Sequence, residues 1–192
     1  MQFFADDLAL RTQRLVLRWL RLDDAEPLFA LFNNWNVIRF LSSPPWPYLP
    51  EDSRLFAGGV VARSPELGED VLAITQDDAF IGVISVRQRE VNNLQRGAGP
   101  NIGYWIGEPF WGRGFMTEAV DAVVRHLFEV TTTDAIYCGA FTDNAASLRV
   151  QEKVGFVRDG DTTLFSNPRG MELPHVNTVL TRMRFAELSA SR

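Results

Sequence analysis

The stretch "NIGYWIGEPFWGRGFMTEAV", residues 101–120, limits the possible folds more than any other part of the chain. An apolar run rich in aromatic and branched residues ends at Gly107, a turn with Gly112 and Gly114 follows, and the pattern turns helical near Phe115. Met116, Ala119, Val120, Val123, Val124, Leu127 and Phe128 fall at helical spacing, which leaves Glu118, Asp121 and Arg125 for the wet side. The first N–H groups of such a helix lack acceptors and sit at the positive end of its dipole. Without side chains at 112 and 114 an anion can reach those amides, and Thr117 adds a hydroxyl and Arg113 a charge. A tight connection that binds nothing would look the same, so the glycines alone do not choose between the two.

The flanking segments set the fold class. "RLVLRWL", "VLAIT", "FIGVISV", "NIGYWIG", "AIYCGAF" and "VNTVLTRMRF" are short runs enriched in β-branched and aromatic residues, and each reads as a strand. "QDDA" is a compact turn between the second and third, and "RQREVNNLQRGAGP" a longer exposed loop between the third and fourth. Three strands in succession without helical spacers imply an antiparallel meander. The segment "DAEPLFALFNNWNVIRFL" reads as one or two helices, a further helix is expected near 144–153, and "VGFVRDGD" turns into the closing strands. "SSPPWPYLPED" is expected to form a stiff loop over a surface. The expectation is an α+β domain over residues 1–192, a mixed, mostly antiparallel sheet flanked by helices, without repeats or linkers.

Composition narrows the partners. A hydrophobic content of 46% supports a sizeable core, and 19 basic against 24 acidic residues, with no block of like charge, disfavours nucleic acid. Cys138 has no disulfide partner and lies in an apolar run, where a small core side chain is expected. With two histidines, His126 and His175, there is no metal-ligand spacing, and no metal is expected. Acidic residues stand near the start where a signal peptide needs positive charge, and no segment approaches the roughly 20 apolar residues of a membrane span. A cytoplasmic protein without membrane partners is expected.

Two phosphate-binding patterns can be tested on the glycine turn. A P-loop requires a lysine after its second glycine, and none follows here. A dinucleotide fingerprint comes closer, with Gly112, Gly114 and Thr117, and Asp143 after the next strand. That fingerprint opens a parallel βαβ array, however, and this turn follows a meander beyond mid-chain, so a nucleotide-dependent oxidoreductase is the weakest reading.

A second constellation decides. Residues 144–156 read "NAASLRVQEKVGF", and on a helix Asn144, Ser147 and Gln151 share one face. Taken with the glycine turn, the chain resembles the GNAT superfamily of acetyl-CoA-dependent N-acetyltransferases, in particular its RimJ/RimL-type branch. In that superfamily the turn reads Q/R-x-x-G-x-G/A, and here Trp111 takes the first position, Gly114 the central one and Met116 the last. "RTQRLVLRWLRLDDAEPLFALFNN" looks like the branch's first strand and helix and "HVNTVLTRMRF" like its last strand, so the resemblance spans nearly the whole length.

The resemblance implies a sheet whose fourth and fifth strands splay apart, with the pantetheine arm of acetyl-CoA as an added strand on the backbone of Tyr104, Trp105 and Ile106. It places the pyrophosphate on the amides from Gly112 to Thr117, thus including Arg113, Gly114, Phe115 and Met116, and Asn144 on the far side of the arm. Lys153 and Arg149 are candidates for the adenosine 3′-phosphate. The chemistry implied is attack of a neutral amine on the thioester carbonyl through a tetrahedral oxyanion. A backbone N–H near Trp105 or Ile106 would stabilise it, an effect worth about 3 kcal/mol, and Ser147 would donate to the departing sulfur. A serine there can also simply satisfy its own helix.

Two departures matter. Asn101 stands where the branch often has a glutamate and cannot accept a proton, and Gln151 stands where many members carry a tyrosine acid. The remaining candidates for the base are His175, Glu108 and a water chain. Trp46 and Tyr48, in "FLSSPPWPYLPEDSRLF", together with Asn101, are expected to flank the acceptor. The acceptor implied is a protein N-terminal α-amine or a small amine, with the protein a monomer or homodimer. The other reading is an acyl-CoA-binding sensor or scaffold without catalysis, which Asn101 keeps open.

Overall fold

The computed structural model describes residues 3–63, 68–89 and 98–190. Its strands form one sheet in the order β1-β2-β3-β4-β5-β6-β8-β7. They are β1 (Ala9–Arg11), β2 (Val16–Trp19), β3 (Glu69–Gln76), β4 (Ala79–Arg89), β5 (Gly99–Ile106), β6 (Ala135–Phe141), β7 (Val157–Ser166) and β8 (Met171–Thr181). Every neighbouring pair is antiparallel except β5 and β6, which run parallel and are paired at one position, Asn101 opposite Tyr137. Beyond that vertex the two strands separate, and a gap opens toward their C-terminal ends. This is the splayed, mostly antiparallel sheet expected. Of the loop read at 87–100, residues 87–89 and 99–100 instead extend β4 and β5 as a paired ladder, and 90–97 lie outside the described residues.

The helices are α1 (Ala25–Phe32), α2 (Trp35–Ile38), α3 (Pro50–Val61), α4 (Phe115–Val130), α5 (Ala145–Val154) and α6 (Arg182–Ala190). They cover the sheet on both faces and divide the core in two. On one face α4 packs its apolar stripe, with Val120, Val123 and Val124 fully buried, against Leu17, Ile74, Ile84 and Ile136. On the other, Leu28, Phe32 and Ile38 of the first helices join Val71, Ala73 and Val83. Each strand alternates its side chains between the two cores. Trp105 therefore packs on Phe32, ring centres 4.6 Å apart, while Tyr104 beside it belongs to the α4 side. Cys138 is buried in that core, and burial pushes its thiol up to about 12.

Three elements differ from the sequence reading, the first being β1 (Ala9–Arg11), which no apolar run pointed to. The proline-rich stretch gives way to α3 at Pro50, where Asp52 accepts the Leu49 backbone N–H and closes the first turn. The last predicted strand stops at Thr181, and residues 182–185 are helical. The reason is Arg182, whose guanidinium donates to the carbonyls of Phe128, Thr131 and Thr133 at 2.7–3.0 Å and so binds the C-terminal end of α4. No helix of the described residues is long and apolar enough to cross a membrane.

Candidate active site

The glycine turn leads from β5 into α4 as expected, with α4 beginning at Phe115. Gly112 and Gly114 hold left-handed backbone, at φ +72° and +78°, a region that side-chain-bearing residues enter only with strain. A β-carbon at 112 would meet nothing within 4 Å, and one at 114 would lie 3.4 Å from the Arg14 guanidinium. The turn is thus an open cradle at a helix N-terminus with positive charge beside it, which fits a pyrophosphate. The side chains of Phe115 and Met116 are buried in the core, so these two residues present only backbone to the turn. Trp111 donates its indole N–H to the Ile106 carbonyl at 2.8 Å and folds the turn back on the strand end. Thr117 and Lys153 line a groove that runs from Gly114 between α4 and α5.

Arg14 is a functional candidate the sequence reading missed. It arrives from the β1–β2 loop, donates to the Arg113 carbonyl at 2.9 Å and pairs with Glu118 at 2.7 Å. The Arg14 and Arg113 guanidiniums each lie 4.6 Å from the centre of the Phe115 ring. Glu118, expected on the wet side, is mostly buried under Arg14 and also accepts the Thr12 hydroxyl at 2.6 Å. No local pattern points to Arg14, which meets the turn across about 100 residues of chain.

Register corrects the backbone assignment. The Gly107 N–H donates to the Ile81 carbonyl on β4, so alternation turns the Trp105 N–H and carbonyl toward β4 as well. The Trp105 carbonyl accordingly lies against Gly82. Trp105 cannot offer its amide as an oxyanion donor or bind an arm in the gap. The groups turned to the gap belong to Tyr104 and Ile106, and further down to Ile102, whose carbonyl accepts the Cys138 thiol at 3.2 Å.

Between the separated strands, the α4-side floor is a hydrogen-bonded chain. The Tyr104 hydroxyl lies 3.0 Å from Ser147 Oγ across the gap. Gln151 donates to Ser147 Oγ at 3.1 Å and to the Gly139 carbonyl at 3.3 Å, and Thr178 donates to Gln151 Oε1 at 2.7 Å. Burial, the largest influence, holds the Tyr104 phenol well above its usual value, against the hydrogen bonds from Ser147 and Gln151. Asn144 caps α5 by accepting the Ser147 backbone N–H at 3.1 Å, so its oxygen is committed to the helix. Asn144, Ser147 and Gln151 share one helix face, as their spacing predicts.

The other side of the gap is walled by the segment after α1. Asn34 and Asn36 donate to the Glu108 carboxylate at 2.6 and 3.0 Å, which fastens this segment beyond the end of β5. Both Glu108 oxygens are engaged by amides, so Glu108 clamps the segment in place. At its other end the segment meets the β7–β8 turn, where the Ser42 carbonyl accepts the Asn167 N–H at 2.8 Å. Trp46 lies half-exposed against Trp35, ring centres 5.2 Å apart, whereas Tyr48 is buried against Phe32 and belongs to the core. His175 lies on β8 opposite Phe141, with its ring over Gly139 on the same side of the sheet as Trp105. Asn101 stands at the closed vertex of the gap.

The chain matches the acetyltransferase (GNAT) domain over residues 14–157. It is 29% identical over 161 residues to the uncharacterized N-acetyltransferase YoaA of Bacillus subtilis, covering 79% of this chain and 84% of that protein. It is 26% identical over 182 residues to the ribosomal protein uS5-alanine N-acetyltransferase of Escherichia coli, covering 90% of each. The solved structure of RimL, the ribosomal L7/L12 α-N-protein acetyltransferase in complex with coenzyme A, superposes with a TM-score of 0.73. That match covers 91% of this chain and 98% of the other, at 20% identity, and speaks for the fold. With the family match spanning the splayed strands, the glycine turn and α5, the chain belongs to the GNAT acetyltransferase family.

Proposed function

We propose that this protein is an N-acetyltransferase that moves the acetyl group of acetyl-CoA directly to a primary amine, a protein N-terminal α-amine or a small-molecule amine. One observation carries the reading: an open anion cradle at the α4 N-terminus continues into a gap between strands whose floor is the Tyr104–Ser147–Gln151 chain. Bound there, acetyl-CoA supplies a thioester, whose C–S bond breaks as the amine nitrogen bonds the carbonyl carbon; the amine loses a proton and the sulfur gains one.

The chain's own groups divide that work. The amides of the turn from Gly112 to Thr117, with Arg113 and Arg14 beside them, hold the pyrophosphate. The gap-facing backbone of Tyr104 and the Ile106 N–H, its carbonyl being held by the Trp111 indole, take the amides of the arm, and one of these N–H groups polarises the carbonyl. Ser147 Oγ donates to the sulfur, while the buried, neutral Tyr104 hydroxyl, 3.0 Å from that oxygen and donating to the Ser147 carbonyl at 3.2 Å, holds the serine in place. His175, on the acceptor side of the sheet, is the side chain that takes the amine proton. Asn101 favours a second reading, a binding module that holds acetyl-CoA without transfer.

The test is calorimetric titration with acetyl-CoA, followed by thiol release over a panel of amines and N-terminal peptides. Binding with thiol release is expected; binding without release across the panel would favour the module. Gly114→Val should abolish binding in a protein that still folds, since valine is strained at this φ and its branched side chain fills the cradle. Unchanged affinity in that variant sinks the proposal.

A further inference from the structure

The floor of the gap holds one side chain whose orientation its surroundings dictate. Gln151 is 1% exposed, and its amide is engaged on both sides. Its NH2 donates to the Gly139 carbonyl at 3.3 Å and to Ser147 Oγ at 3.1 Å, and its Oε1 accepts the Thr178 hydroxyl at 2.7 Å. A backbone carbonyl can only accept, so the NH2 must be the half that faces Gly139, and Oε1 is left to face Thr178. A flipped amide would set two carbonyl oxygens against each other at Gly139 and forfeit a buried hydrogen bond.

That orientation decides where the Ser147 proton can go. Ser147 Oγ receives an N–H from Gln151, so Gln151 does not take the serine proton. The Tyr104 hydroxyl donates to the Ser147 carbonyl at 3.2 Å and lies 3.0 Å from Ser147 Oγ, which leaves the phenol oxygen as the neutral resting acceptor of that proton. A sulfur that becomes anionic in the gap is a stronger acceptor, because hydrogen bonds to charged groups are the strong ones. Thr178 stands behind this arrangement. It is a buried residue of β8, opposite Cys138 in the register and so one strand beyond the gap. Without its hydroxyl, Oε1 would be a buried acceptor with no donor, and the amide would regain one by turning Oε1 to the Ser147 hydroxyl.

We infer that Thr178 is a positioning residue for the transfer: by holding the Gln151 amide in one orientation it keeps the Ser147 proton free for the sulfur of CoA. The inference rests on the acetyltransferase reading and on the part Ser147 plays in it.

The experiment titrates the thiol of CoA bound to the protein and needs no acceptor. Ultraviolet thiolate absorbance is followed against pH, and the spectrum of the desulfo-CoA complex is subtracted. The ionisable groups nearest the floor and its opposite face, Tyr104, Cys138 and His175, are common to both complexes and cancel. A serine that donates to the sulfur holds the bound thiol below the ordinary thiol value of about 8.5. Ser147→Ala should raise the bound value by about one unit, the loss of one hydrogen bond to a charged atom. Thr178→Val should raise it nearly as far with the desulfo-CoA Kd unchanged, and Thr178→Ser, which keeps the hydroxyl, should restore the wild-type value. Thr178→Ala removes the same hydroxyl and serves if the valine variant does not fold. A wild-type value in Thr178→Val or Thr178→Ala beside a shifted Ser147→Ala overturns the inference and leaves the role of Ser147 standing. A shift that Thr178→Ser fails to reverse is an effect of packing and overturns it as well. An unshifted Ser147→Ala removes the serine's role and the inference with it, whereas failure of the wild type to bind CoA removes the acetyltransferase reading itself.

Discussion

At the scale of single residues, the floor of the gap shows how one hydroxyl can be prepared for an acid's task. Ser147 Oγ receives the Gln151 amide and faces the Tyr104 hydroxyl, so its own proton can point to a third partner. Ser147→Ala should therefore lower kcat on the order of a hundredfold, the lower range for loss of a positioned acid, with little change in the KM for acetyl-CoA. Steady-state kinetics checks this split, and an unchanged kcat would return Ser147 to a purely structural role. Because burial holds the Tyr104 phenol above its ordinary value near 10, it stays neutral through the assay range. No alkaline loss of kcat should thus arise from Tyr104 below about pH 10, and the pH–rate profile of the wild type should match that of a Tyr104→Phe variant on its alkaline side. The face shared by Asn144, Ser147 and Gln151 was legible from helical spacing alone. The Tyr104 partnership was not, since it joins residues 43 positions apart, and neither was the direction of the Trp105 amide, which only the pairing of β5 with β4 decides.

At the scale of elements, α4 and its turn were readable because local chemistry writes them: an apolar run, glycines at positive φ, then a helical stripe. The errors fell where a distant partner overrides local pattern. Arg182 ends β8 by reaching the α4 carbonyls, and the prolines before α3 hid a helix that begins with Pro50 and an acidic first turn. The Arg14–Glu118 bridge belongs to the same class and gives a testable dependence. Burial works to raise Glu118, but hydrogen bonds from Thr12 and Arg14 together with Arg14's charge outweigh it and hold the carboxyl below its usual value of 4.5. A carboxyl lowered in the folded state stabilises above its unfolded value and loses that contribution as pH falls through the folded one. Urea unfolding should show wild type more stable than Arg14→Ala at pH 7, with the difference narrowing below about pH 4.5. In the same variant the acetyl-CoA Kd should rise about tenfold, because the guanidinium that holds the Arg113 carbonyl is gone, a charged hydrogen bond being worth about 1.5 kcal/mol.

At the scale of the whole molecule, an eight-stranded sheet interrupted at one seam needs something to keep the seam open. The two cores supply it. The α4 side grips β5 through Ile102 and β6 through Ile136 and Cys138, while on the other face Trp105 is held by Phe32 of α1 and Phe80 of β4, so above the vertex β5 is fixed to β4 and the helices and β6 to β8, not to one another. The meander and α4 could be anticipated from the order of runs along the chain, because sequence order follows sheet order from β1 to β6, whereas the splayed seam was implied only by the family resemblance. Since the gap is built without a strand to fill it, a ligand that binds the folded form adds stability by mass action, about 2.7 kcal/mol at a hundredfold excess over Kd. For a domain of this size that corresponds to a rise in melting temperature of roughly 5–11 °C. Acetyl-CoA should produce this shift in wild type and in Ser147→Ala, which leaves the cradle intact, and should fail to produce it in Gly114→Val. A Ser147→Ala protein that lost the shift would show that its hydroxyl contributes to binding, whereas a Gly114→Val protein that kept it would place the pyrophosphate away from the α4 turn.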